Sequence, residues 1–336
     1  MDNPSRVPVR NWSHCTCHPR TLLRMKTYAE DGYWLRYQPL FPEHMRSTPE
    51  TAPEESWWPW RGHTIHVDRL VPGSARGLRV LMVHGGGGNG RMLLPAARLV
   101  ADAGYEVLAP DLPGFGMTEV DEEALVTYPS WVECLSDFIE HESADDDRPF
   151  VAFGMSIGGI SAYNLAATSS RVAGAIATML NDPREDDVRR ALARTPSTVG
   201  LSAALLNFTQ SLTDRVRLPM RWFSSLGTIA NDPRLVEIIK HDPAVGGAKM
   251  QLAFLRTLIN EPFSVEPEDY AGGPILVLHP DEDRWTPAAL SERFVARIAG
   301  ESTFERLTNC GHFPLEPPGV ERMRDAVLAF LSQLHP

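Results

Sequence analysis

A serine attacks a carbonyl only when a base takes its proton and fixed donors hold the charge that follows. Residue types suited to those tasks recur in four short segments of this chain. Gly154-Met155-Ser156-Ile157-Gly158 fits G-x-S-x-G and is followed by Gly159. The apolar run Pro149–Gly154 precedes it and a helical pattern follows, which is the strand–turn–helix setting that gives this otherwise weak pattern its meaning. A serine there projects its hydroxyl above a sheet. Gly154 and Gly158 leave out side chains where strand and helix nearly collide, and Gly159 lets the helix pack closely. The helix N-terminus aims unpaired N–H groups at the reacting centre.

The other parts lie at matching positions. His84-Gly85-Gly86-Gly87-Gly88-Asn89-Gly90 follows a second apolar strand and leaves backbone N–H groups open to a ligand atom. An oxyanion hole needs two donors, expected from Ile157 and Gly86, with Gly87 as the runner-up. The competing reading, a phosphate loop, lacks the G-K-[ST] ending and the dinucleotide spacing. His312, in Asn309-Cys310-Gly311-His312-Phe313-Pro314, is placed late enough to serve as base. The acid comes from Pro280-Asp281-Glu282-Asp283-Arg284-Trp285-Thr286-Pro287, where the order Ser, Asp, His favours Asp283. Asp281, Glu282 and Asp182 compete for that role. Met155, Trp285, Phe313, Phe208 and Trp222 are the expected substrate-binding side chains. His84 reads as structural.

Positioning these segments requires alternating strands and helices. Short apolar strands are expected at Arg79–His84, Glu106–Ala109, Phe150–Phe153, Ala173–Leu180, Ile275–Leu278 and Thr303–Leu307. Helical spacing is read over Met92–Ala103, Ser130–His141, Ile157–Ala167, Ala288–Ile298 and Val320–Leu334. The pattern predicts an α/β fold, a mostly parallel central sheet flanked by helices. Further strands over Lys26–Ala29 and Tyr33–Tyr37, joined by a Glu30-Asp31-Gly32 turn, are expected at the sheet edge. Residues 38–62, rich in Pro, Glu and Trp, read as an insertion loop, with Trp57, Trp58 and Trp60 packed on the body or lining a mouth. Residues 181–265 hold helical patterns, among them Asp186–Ala193, Gly200–Ser211, Pro233–Lys240 and Lys249–Ile259, and no clear strand, and read as an inserted helical cap. The core is then 1–180 plus 266–336.

The whole chain bounds the function. Its 336 residues are 43% hydrophobic, enough to bury a full core, and its net charge of −11 disfavours nucleic acid as a partner. No apolar run is long enough to span a bilayer and no leader is read at the start, so a cytoplasmic location is expected. Four cysteines are too few and scattered for a disulfide framework. His14, Cys15, Cys17 and His18 lack a second pair at zinc spacing, so neither metal nor cofactor is expected.

HGGGGNG, Asp111-Leu112-Pro113-Gly114-Phe115-Gly116, GMSIGG, HPDEDRWTP and NCGHFP together resemble the α/β-hydrolase superfamily, specifically its capped serine esterase and lysophospholipase-like members. Residues 79–180 and 274–334 carry the resemblance. Pro280 stands where the family usually has a glycine, yet the D-x-x-x-P frame still selects Asp283. The resemblance implies an α/β-hydrolase fold and a hydrolase of carboxylic esters or lactones acting through an acyl-enzyme on a small apolar substrate. An amidase or peptidase, a carbon–carbon bond hydrolase, a perhydrolase and a weakly catalytic ligand-binding receptor are the alternatives. Dehalogenases and epoxide hydrolases of this fold use Asp as nucleophile, which Ser156 argues against.

Overall fold

Strands buried on both faces need mostly apolar residues, and the central strands of this chain have them. The computed structural model describes residues 26–195 and 199–334. Its main sheet is built from β1 (Glu54–Trp60), β2 (His63–Leu70), β3 (Arg79–Val83), β4 (Glu106–Pro110), β5 (Phe150–Gly154) and β6 (Val172–Ala177). A separate two-stranded ribbon, β7 (Arg217–Pro219) and β8 (Lys249–Gln251), precedes the last two sheet strands, β9 (Ile275–Pro280) and β10 (Ser302–Leu307). The order across the sheet is β1-β2-β4-β3-β5-β6-β9-β10. Pairing is parallel from β4 through β10 and antiparallel where β2 meets β1 and β4.

The helices are α1 (Tyr28–Asp31), α2 (Leu94–Asp102), α3 (Tyr128–Ser143), α4 (Ile157–Thr168), α5 (Asp186–Leu192), α6 (Val199–Phe208), α7 (Gln210–Thr213), α8 (Pro233–His241), α9 (Leu252–Asn260), α10 (Ala288–Val295) and α11 (Gly319–Leu334). Successive strand residues feed opposite faces of the sheet. Val80, Met82, Val151 and Phe153 join the core under α2 and α11. Leu81, Val83, Phe150 and Ala152 join the core that includes Trp131 and Phe138 of α3, Tyr163 of α4 and Phe294 of α10. The α/β architecture with a mostly parallel sheet is therefore as expected.

Three expectations are corrected. Residues 26–37 are helical rather than paired strands. The Thr27 hydroxyl caps α1, Gly32 ends it at φ 61°, and a 3₁₀ turn follows over Tyr33–Arg36. Trp34, Tyr37 and Phe41 bury and stack on one another, so tertiary packing overrides a turn signal. The supposed loop 38–62 contains edge strand β1, which turns into β2 through Arg61 and Gly62, both at positive φ. Trp60 is buried and donates to Asp137, while Trp58 packs on Phe138 and His141, so these tryptophans serve the body. The segment between β6 and β9 is mostly helical but holds β7 and β8, with the helix expected over Lys249–Ile259 starting only at Leu252. His14, Cys15, Cys17 and His18 lie outside the described residues. No helix among the described residues is long and apolar enough to cross a membrane.

Candidate active site

β5 leads straight into α4 through Ser156, whose φ of 56° and ψ of −127° are strained for a side-chain-bearing residue. Only glycines permit so tight a turn. A Cβ on Gly154 would lie 1.9 Å from the Gly158 carbonyl oxygen, and one on Gly158 would lie 2.1 Å from that of Val83. The turn leaves the Ser156 side chain half-buried on the wall of two adjoining cavities.

His312 follows β10 and Asp283 follows β9, two neighbouring parallel strands, so their loops leave the same end of the sheet. The His312 Nδ1–H donates to Asp283 Oδ2 over 2.7 Å. This fixes the tautomer and leaves the Nε2 lone pair for a proton; Nε2 is buried without a hydrogen-bond partner, and His312 lines the smaller cavity with Ser156. Asp283 Oδ1 accepts from the backbone N–H groups of Trp285 and Thr286, and Oδ2 also accepts from the Thr286 hydroxyl at 2.6 Å. Burial alone would raise the Asp283 pKa. His312 and these hydrogen bonds outweigh it and hold the carboxyl at about 2, so it is ionised at neutral pH. The rival acids are engaged elsewhere: Asp182 pairs with Arg184 and Asp281 with Arg306.

A buried chain of hydrogen bonds supports Asp283 from behind. The Leu180 N–H donates to the Ser291 hydroxyl, which donates to His279 Nδ1; His279 Nε2–H then donates to the Thr286 carbonyl. Burial keeps the His279 imidazole below its ordinary pKa, in its neutral form. His279 and Thr286 escaped the sequence reading. The only signal for Thr286 was its place three residues after Asp283, and His279 sat inside an apolar strand.

The glycine loop meets the Ser156 turn directly. A Cβ on Gly85 would lie 2.9 Å from the Ser156 Cβ, and one on Gly86 would lie 2.9 Å from the Ile157 Cδ1. Gly86, Ser156 and Ile157 share the wall of the larger cavity. His84 is structural, as read: its Nδ1–H donates to the Gly85 carbonyl and its Nε2 accepts from the Leu112 N–H. Asp111 holds the far end of the loop through the Gly90 N–H at 2.6 Å, and also accepts from the Met117 N–H and the Tyr28 hydroxyl.

Behind Asp111 lies a buried charged cluster. His66 sits between Asp111 and Glu55, and Arg91 makes a two-pronged pair with Asp68. Burial would lower the His66 pKa, but the carboxylates outweigh it and raise it to about 10. Glu55, His66 and Asp68 are close enough to hold a metal ion, yet the Arg91 guanidinium already pairs with both acids of that set.

The larger cavity, about 230 Å³, is mostly apolar and includes Leu206, Met220, Trp222, Phe223, Leu258 and Trp285 in its wall. The smaller, about 60 Å³, takes Met155, Trp285 and Phe313. Four of the five expected substrate-binding side chains therefore face a cavity beside Ser156. Phe208 does not: it is 88% exposed and touches neither. It closes α6 on the side away from the cavity, a direction that composition does not encode.

Residues 80–329 match the model of the alpha/beta hydrolase family. The chain belongs to that family. Among solved structures, it is similar to a monoglyceride lipase from Saccharomyces cerevisiae, with a TM-score of 0.69 at 17% identity over 86% of this chain and 97% of that one. A monoacylglycerol lipase from Paleococcus ferrophilus gives a TM-score of 0.64 at 20% identity, covering 80% of this chain and 99% of the lipase. A thermophilic esterase from Thermogutta terrifontis gives 0.56 at 22% identity, covering 84% and 100%. At these identities the likeness is one of fold. No curated protein matches the chain by sequence.

Proposed function

We propose that this alpha/beta hydrolase is a serine hydrolase that cleaves carboxylic esters with an apolar acyl or alcohol group. The observation that carries the reading is the pair of His312 and Asp283 at 2.7 Å, with the His312 Nε2 unpartnered and His312 and Ser156 on the wall of one cavity. The relatives named as lipases and an esterase support an ester rather than an amide.

In the proposed sequence, His312 Nε2 takes the Ser156 hydroxyl proton as Oγ attacks the ester carbonyl. The Ile157 and Gly86 N–H groups donate to the oxyanion. Collapse breaks the bond to the leaving oxygen, which takes the proton from His312 and departs as an alcohol. Water attacks the acyl-enzyme, giving its proton to His312, and the free acid leaves with Ser156 restored. Asp283 stabilises the transient imidazolium. The apolar cavity excludes water from the acyl chain, and residues 181–265, which supply most of its wall, act as the cap.

Hydrolysis of p-nitrophenyl acetate, butyrate and octanoate, beside the matching anilides, tests this reading. Turnover of the esters well above the anilides, lost in Ser156→Ala by a factor on the order of 10⁴, is the expected result. Equal turnover by Ser156→Ala would end it.

A further inference from the structure

The surface of residues 204–222 is inverted. α6 and α7 run nearly end to end over α9, broken only at Thr209. Leu206 lines the larger cavity and Asn207 bonds to Asn260 of α9, which makes that side the inward one. Leu205, Phe208 and Leu212, at i, i+3 and i+7, share the opposite face, and their exposures are 58%, 88% and 83%. With Val216 and Trp222 they account for five of the eight large apolar side chains that stand exposed among the described residues. A water-facing helix normally carries polar residues there, and an apolar cluster of this kind marks an interaction surface.

Charge follows the same boundary. Residues 188–231 carry six arginines and one acid, Asp214, in a chain of net charge −11. Asp214 is spent on Arg256. Arg194, Arg215, Arg217, Arg221 and Lys249 are exposed and belong to no ion pair among the described residues. They cluster by construction. Arg217 and Lys249 lie on the two strands of the β7–β8 ribbon, Arg194 bonds to the Arg221 carbonyl, and Arg215 and Arg221 flank the ribbon's first strand. The acidic run Asp121–Glu123 borders this group at Arg215 and limits it on that side.

The geometry points to a docking surface for an anionic lipid membrane. Exposed apolar side chains on one helical face enter the headgroup boundary, and the flanking cations meet the lipid phosphates. The complementarity is one-sided, since the rest of the chain carries −13 once the +2 of residues 181–265 is set apart. That remainder is repelled by the same surface, which orients the molecule. Trp222 is both exposed and part of the cavity wall, so the apolar patch continues into the site. A lipid ester could pass from the membrane to Ser156 along it. This passage rests on the ester-hydrolase reading; the docking surface does not.

The test is co-sedimentation of the full chain, as wild type and as Ser156→Ala to prevent lipid turnover, with 100 nm vesicles of phosphatidylcholine alone or with about a third phosphatidylglycerol. Phosphatidylglycerol should tighten binding at least about tenfold, at low salt most strongly. Arg215→Gln with Arg217→Gln should weaken that binding roughly 30-fold, at the usual contribution of each surface cation. Leu205→Ser with Leu212→Ser should weaken binding to the anionic vesicles about tenfold or more. The same pair should leave hydrolysis of soluble p-nitrophenyl acetate within about twofold, since neither side chain faces the cavity. Binding indifferent to phosphatidylglycerol, or undiminished in both double variants, overturns the proposal. So does a lipid-free dimer in sedimentation velocity that Leu205→Ser/Leu212→Ser dissociates, because the patch would then cover a second copy. Vesicle binding as expected in a protein without esterase activity would uphold the surface and reject the proposed reaction.

Discussion

Replacing Asp283 by Asn removes one charge and keeps the shape of the side chain. In the wild type a buried carboxylate sits 2.7 Å from the ring nitrogen of a buried imidazole. In the proposed reaction that imidazole becomes a cation. With the delocalised charges centred about 4 Å apart, an effective dielectric of about 20 gives an attraction of about 4 kcal/mol, or roughly a thousandfold in rate. The amide adds a second penalty. The Trp285 and Thr286 N–H groups hold the oxygen side, so the Asn NH₂ group turns toward His312 and donates to Nδ1. That places the ring proton on Nε2, where the lone pair is needed. Together these give an expected loss in kcat of about 10³ to 10⁴, the range known for such a substitution in a serine triad. The assay is steady-state hydrolysis of p-nitrophenyl butyrate, with circular dichroism and a thermal melt to show that the variant is folded. Less than a tenfold loss in folded Asp283→Asn would refute the reasoning. A larger loss in Asp281→Asn or Asp182→Asn would move the role to that residue.

Trp222→Ala should lower kcat/KM for p-nitrophenyl octanoate by about tenfold and for the acetate by no more than about threefold, a graded shift because apolar contacts discriminate by only ~1–3 kcal/mol; equal losses on both would remove Trp222 from the pocket. Gly154→Ala should destabilise the fold by more than about 4 kcal/mol in urea titration, because its Cβ would collide with the Gly158 carbonyl at 1.9 Å, while Gly73→Ala, with nothing within 4 Å, should melt as wild type; a soluble, wild-type-like Gly154→Ala would contradict the tight turn. His66 has a folded pKa of about 10, raised from 6.5, so its contribution to stability is fully present below pH 6.5 and is lost as pH rises through about 10. Denaturation at pH 6, 8 and 10 should show that decline, and His66→Gln should flatten it; a wild type equally stable at all three values would contradict the ion cluster.

The parallel strands could be read from sequence because each is a short apolar run bounded by turn residues, and burial on both faces leaves no alternation to interpret. The Ser156 turn and the Asp283–His312 spacing could be read because backbone geometry dictates residue type: glycine where atoms nearly touch, acid and histidine at strand ends. β1 could not. Glu54-Glu55-Ser56-Trp57-Trp58-Pro59-Trp60 has the composition of a loop, and Pro59 is tolerated only because β1 is an edge strand. Glu30-Asp31-Gly32 has the composition of a turn between strands, but Glu30 and Asp31 lie in α1, which Thr27 caps at its start and Gly32 ends. Residues 217–219 and 249–251 are too short for periodicity to register, and what makes them a ribbon is their pairing across 30 residues. Phe208 and Trp222 looked alike as apolar residues of one segment. Which of them faces the cavity depends on how α6 and the β7–β8 ribbon sit over α9, a tertiary fact. The bond from the Leu180 N–H to Ser291 behind His279, and the cluster that ties Tyr28, His66 and Asp68 to Asp111 and Arg91, join residues far apart in sequence, where spacing carries no information.

The central claim is that Ser156 is an activated nucleophile served by His312, and covalent labelling tests it most directly. A fluorophosphonate should add once to the wild type, at Ser156 by intact mass and peptide mapping, with esterase activity falling in proportion to the labelled fraction. Ser156→Ala should take no label, and His312→Ala should label at least about 10³ times more slowly. Labelling of folded Ser156→Ala at the wild-type rate, or esterase activity that survives full modification of Ser156, would contradict the account.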